Sequence, residues 1–117
     1  MGTPDYASPE QIKGKPGDAR SDIYSLGIML FEMLTGEVPF SGLDPVTAMQ
    51  MRCLANPPQA CEINPDIPPG LQEAINRALA RDRKARYSTA RELASDLVEF
   101  LTQETVQMPV ESVVNFK

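Results

Sequence analysis

Histidine does not occur in this chain of 117 residues, and cysteine occurs only twice, at Cys53 and Cys61. Without imidazole the common Cys/His zinc sets cannot be assembled, so no metal site is expected, and two thiols eight residues apart read as free thiols of a reducing compartment. That reading puts the protein in the cytoplasm. Positive charge is also in deficit: Lys+Arg number 11 against 16 Asp+Glu, a net charge of −5. A nucleic-acid backbone would meet a repelling field, so nucleic acid is not an expected partner. Long apolar runs are missing too. The longest, Ile23 to Leu34, falls short of the roughly 20 residues that cross a bilayer. The N-terminus has no basic stretch followed by an apolar core, and no membrane segment is expected within the chain. There is no internal repeat and no convincing strand pattern. What is present is proline, eleven residues of it, about twice the average usage of roughly 5%. With 42% hydrophobic and 23% charged residues, the composition fits one soluble domain, and the lack of a strand pattern makes its expected class all-α.

Gly2, Pro4, Pro9, Gly14, Pro16 and Gly17 make the first 20 residues mostly ordered loop, with room for a short helix after Pro9. Ser21 is a candidate cap and Asp22 an early-helix acid for an apolar stretch that Gly36 stops. Its apolar residues point all round a 3.6-residue turn, which predicts a buried central helix. Asp44-Pro45 starts another helix, with Val46, Met49 and Cys53 on one stripe ending near Leu54. The five prolines between Asn56 and Pro69 predict an extended, solvent-facing connection. Leu71, Ile75, Ala78 and Leu79 mark a further amphipathic helix. After a charged hinge, Thr89 and Glu92 form a capping box for a last helix whose stripe is Ala90, Leu93, Ala94, Leu97, Val98 and Leu101. Residues 103–117 lose the periodicity and read as a tail or linker.

The stretch Gly2-Thr3-Pro4-Asp5-Tyr6-Ala7-Ser8-Pro9-Glu10 resembles the end of the activation segment of serine/threonine protein kinases, where Gly-Thr-x-x-Tyr runs into Ala-Pro-Glu or Ser-Pro-Glu. Ser21-Asp22-Ile23-Tyr24-Ser25-Leu26-Gly27 resembles the start of that family's central helix. Leu34-Thr35-Gly36 with Pro39-Phe40 resembles its exit, and Asp82 to Arg86-Tyr87 the loop before the last helix. Ser-Pro-Glu-Gln and Arg-Tyr-Ser-Thr-Ala are most similar to the bacterial branch. The resemblance covers residues 2 to 101 and implies an all-α, partial C-lobe: residues 1–102 as the C-terminal part of the kinase large lobe, with a central helix and three or four around it. The Gly-rich loop, the strand lysine, His-Arg-Asp and Asp-Phe-Gly of the signature set are absent.

The resemblance also implies roles. Thr3, Pro4 and Tyr6 would face substrate, Thr3 through a hydroxyl that contacts the catalytic aspartate and its lysine partner in an intact kinase. Glu10 would form a buried ion pair with Arg86; the alternative is a helix-start carboxylate and a solvated cation. Asp22 would anchor the catalytic loop, or serve only as an early-helix acid. Six basic residues, Arg77, Arg81, Arg83, Lys84, Arg86 and Arg91, fall within fifteen positions, and a solvated face is preferred over a nucleic-acid patch. The Val46–Leu54 helix reads equally as core or as a docking site for protein substrates or regulators. ATP and magnesium would belong to the intact kinase and not to this chain, which would need the remainder of the kinase domain as its partner and be inactive alone. A non-catalytic interaction module derived from a kinase lobe is the competing function, and a truncated chain with no independent role is the third.

Overall fold

The computed structural model describes residues 4–107. Thr3 and residues 108–117 of the expected tail lie outside the described residues. Among those described there are six α-helices, two single-turn 3-10 helices and no strand. A 3-10 turn at Pro4–Tyr6 leads into α1 (Pro9–Ile12), followed by α2 (Ala19–Thr35), α3 (Pro45–Leu54), α4 (Ala60–Ile63) and α5 (Pro69–Ala78). A second 3-10 turn, Arg83–Ala85, precedes α6 (Ala90–Gln107).

Local chemistry sets most of these boundaries. The Ser8 hydroxyl accepts from the Gln11 N–H while the Gln11 side chain accepts from the Ser8 N–H, a capping box that starts α1 with Pro9 as its first residue. The cap of α2 lies three residues before the expected Ser21. Asp18 is that cap, accepting from the N–H groups of Arg20 and Ser21 at 3.0 and 3.1 Å, and the Ser21 hydroxyl accepts in return from the Asp18 N–H. Gly36 ends the helix with φ +80°, a left-handed conformation that glycine adopts without Cβ strain. Asp44 caps α3 through the Thr47 N–H, and the Thr89 hydroxyl accepts from the Glu92 N–H at the start of α6.

α2 and α5 share the core. Tyr24, Ile28 and Phe31 of α2 pack with Leu71, Ile75 and Leu79, and also with Ala60 and Ile67. A second cluster joins Ile23 to Ala74, Ala78, Tyr87 and Leu93, which brings α6 onto α5. The two central helices touch at Gly27, where an added Cβ would lie 2.9 Å from both Ala78 Cβ and Leu79 Cδ2. Only glycine lets them approach so closely.

Four expectations need correction. α2 is not buried all round, because Asp22 and Met29 are exposed, Leu26 is half-buried and Met33 is 77% exposed. Spaced at 22, 26, 29 and 33, these form one helical stripe facing outward. The Asn56–Pro69 connection is not simply extended: it carries α4, and it inserts Ala60 and Ile67 into the core. On α3 the buried residues are Ala48 and Arg52, while Val46 is exposed and Met49 and Cys53 are half-buried. On α6, Leu93 is buried and Leu97 half-buried, but Ala90, Ala94 and Val98 face outward.

Candidate functional site

The segment from Tyr6 to Glu10 is held at almost every residue. The Tyr6 carbonyl accepts from the Ser25 hydroxyl at 2.6 Å, and the Tyr6 phenol donates to Glu32. The Ala7 carbonyl accepts from Arg52 Nη1 at 3.0 Å, and the Pro9 carbonyl from the Cys53 thiol at 3.8 Å. Thus α2 fixes one side of the segment and α3 the other. The Tyr6 phenol is harder to ionise than usual because it donates to the Glu32 carboxylate, with desolvation adding to the effect. Pro4 opens the 3-10 turn.

Glu10 carries the segment's buried ion pair. Its Oε2 accepts from Arg86 Nη1 and from the Ser21 hydroxyl, both at 2.7 Å, and its Oε1 from Arg86 Nη2 at 2.9 Å. Arg86 is 1% exposed, so its five N–H groups must all find acceptors within the protein. They do. Two go to Glu10, Nε donates to the Ala80 carbonyl at 2.7 Å, and the remaining two go to the carbonyls of Arg20 and Arg81 at 3.1 and 3.3 Å. The guanidinium also lies 4.9 Å from the centre of the Tyr24 ring. Burial by itself would push the Glu10 carboxyl up, but the hydrogen bonds from Arg86 and Ser21 outweigh it and hold it at about 2. Burial of Tyr24 pushes its phenol up to about 12, against the lowering influence of Arg52 and Arg86.

The structure therefore brings Glu10 and Arg86 together and sets Asp22 apart, on the exposed stripe of α2. Three polar anchors were not anticipated from the sequence. Ser21 donates to Glu10 as well as completing the cap of α2, Ser25 holds Tyr6, and the buried Arg52 holds Ala7. For Ser21 the signal was present in the Asp18-x-x-Ser21 spacing of a capping box. Nothing marked Arg52, since arginine is usually exposed.

The basic cluster disperses in several directions. Arg77 stacks 4.1 Å from the Tyr87 ring centre and lies 3.9 Å from Glu92, Arg83 pairs with Asp18, and Arg81 donates to the Leu54 carbonyl and to Asn56. Lys84 and Arg91 are exposed. The Tyr87 phenol donates to Asp96, and burial together with that carboxylate raises its pKa. Among the described residues no group of three or more carboxylate or thiol side chains could hold a metal ion. None of the described helices is long and apolar enough to cross a membrane.

The protein kinase domain family matches residues 1–98. The chain belongs to that family. It is 43% identical over 98 residues to the serine/threonine-protein kinase PknB of Mycolicibacterium smegmatis, an alignment covering 84% of this chain and 16% of the relative. It is 48% identical over 99 residues to a probable serine/threonine-protein kinase of Clostridium perfringens, covering 83% and 14%. Against the serine/threonine-protein kinase PrkC of Bacillus subtilis it is 40% identical over 97 residues, covering 83% and 15%. The matched region thus spans about one sixth of these relatives. Its helical architecture is that of the C-terminal part of a bacterial-type kinase large lobe, from the end of the activation segment onward.

Proposed function

We propose that this chain is the substrate-facing base of a serine/threonine protein kinase whose complete domain moves the γ-phosphoryl group of ATP to protein hydroxyls. In that reading Thr3, Pro4 and Tyr6 belong to the loop that receives substrate. Glu10 and Arg86 clamp the loop to the base, and the chain transfers no phosphate by itself. The observation that carries the reading is the pinned Tyr6–Glu10 segment, held by α2, α3 and Arg86 within a chain that matches the kinase family. Phosphoryl transfer depends mainly on positioning and charge stabilisation, and a rigid platform supplies positioning. The outward stripe of Asp22, Leu26, Met29 and Met33 fits a face that the remainder of the kinase domain covers, with Asp22 as its polar anchor.

A titration of the purified chain with magnesium–ATP in a calorimeter is expected to give no binding heat. In-frame coding sequence upstream of Met1 is expected to contain His-Arg-Asp and Asp-Phe-Gly. Specific ATP binding by this chain, or an upstream region without those motifs, would overturn the reading. The exposed Leu43, Val46 and Leu54 around α3 favour a second reading, a non-catalytic module that binds proteins. The two differ in thermal behaviour. A base lacking its cover should melt broadly and bind a dye for exposed apolar surface, whereas an independent module should melt sharply as a monomer.

A further inference from the structure

A cleft of about 480 Å³ opens where the end of α3, the start of α4, α5 and the charged hinge meet, away from the Tyr6–Glu10 platform. Its polar groups are arranged with a fixed direction. The Cys61 N–H can only donate, and it takes Gln72 Oε1 at 2.8 Å. Gln72 must therefore present its NH2 to Asn76 Oδ1, at 2.8 Å, and Asn76 its NH2 to Gln59 Oε1, at 3.1 Å. The relay ends on the Gln59 NH2, which has no acceptor among the described residues. On the facing wall Arg81 Nη2 donates to Asn56 Oδ1 at 3.3 Å, which occupies that amide's oxygen and leaves its NH2 free. The nearby carbonyls are taken as well: Leu54 by Arg81, and Ala80 and Arg81 by Arg86.

The cleft thus presents two amide NH2 groups and the spare N–H groups of an exposed guanidinium, with their matching acceptors already occupied. Asp82 is the opposing group, and one of its oxygens already accepts from the Lys84 N–H at 2.9 Å. We infer that this cleft binds an oxyanion carried on an extended peptide, a side-chain carboxylate or a phosphoryl group, through Arg81, Asn56 and Gln59. Asp82 lines the same cleft, and its second oxygen would serve as the acceptor for a peptide N–H. This inference does not depend on the kinase reading.

The test is a titration of the isotope-labelled 117-residue chain, followed by NMR, with four probes. These are a capped glycine–glutamate peptide, its phosphoserine counterpart, its glutamine counterpart and inorganic phosphate. The Asn56 and Gln59 side-chain NH2 signals are expected to shift with at least one oxyanion peptide at millimolar concentration and to stay put with the glutamine peptide. Which of the two oxyanion peptides binds more tightly identifies the source of the oxyanion. Asn56→Asp keeps the acceptor for Arg81 but replaces the free NH2 with an oxygen, and should weaken binding about tenfold or more. Arg81→Gln should do the same. Should Arg81→Gln lose the fold, Asn56→Asp carries the test alone, because its backbone spectrum is expected to match that of the parent chain. The inference is overturned by silence from both oxyanion peptides, by equal binding of the glutamine peptide, or by an unchanged affinity in Asn56→Asp. Inorganic phosphate binding as tightly as the phosphopeptide would overturn it too, as an adventitious ion only.

Discussion

Two ion pairs join the same two stretches of chain, residues 10–18 and 83–86, yet their surroundings differ sharply. In the Arg83–Asp18 pair the side chains are 47% and 39% exposed; in the Arg86–Glu10 pair they are 0% and 10% exposed. Water screens the first, and its net worth is about 0–1 kcal/mol. The second lies where an unmatched charge is costly, and all five guanidinium N–H groups and both carboxylate oxygens are matched. Charge complementarity is common to both pairs. Burial, with full hydrogen bonding, is what turns one of them into a clamp.

Removing one side of the buried pair should therefore have the largest effect. Arg86→Leu strands Glu10 and is expected to cost about 3–5 kcal/mol, read as a lower urea midpoint. A loss below about 1 kcal/mol would place the pair in the same class as its exposed neighbour. Acid provides the next test. Because Glu10 titrates near 2 when folded, against an ordinary value of 4.5, its stabilisation is fully present above about pH 4.5 and is lost as pH falls through 2. Relative to Glu10→Gln, the parent chain should lose on the order of 3 kcal/mol across that window, and equal slopes would contradict the clamp. Gly27→Val separates burial from charge. It crowds Ala78 and Leu79 with no electrostatic change and should cost about 1–3 kcal/mol, with no added pH dependence. Arg83→Ala should move the urea midpoint least, by about 0–1 kcal/mol, and a larger loss would mean that exposure does not separate the two pairs.

Those two pairs also mark how far the sequence could be read. Elements with a local signal emerged from it: Asp44-Pro45 starts α3, the Leu71–Leu79 spacing lies within and just past α5, and Thr89 with Glu92 opens α6. Their caps and periods involve residues within a few positions of one another. Where the deciding partner is remote, the reading failed. Nothing around Arg52 reveals that the Ala7 carbonyl, 45 positions away, accepts its N–H. Apolar composition predicts burial for the α2 stripe because it cannot show which face the described helices leave uncovered. Proline density concealed α4, since a connection rich in proline can still bury a residue as small as Ala60. The pairing of Glu10 with Arg86 spans 76 positions, and it was the family resemblance, not local pattern, that brought those residues together.

A double-mutant cycle on Glu10→Gln and Arg86→Leu tests the clamp most directly, because it removes each partner's private contacts from the comparison. The expected outcome is a coupling energy of about 2 kcal/mol or more, with the double variant more stable than the sum of the single losses requires. Additivity within about 0.5 kcal/mol would show that the two side chains stabilise the fold independently and that the opening segment is not held through them.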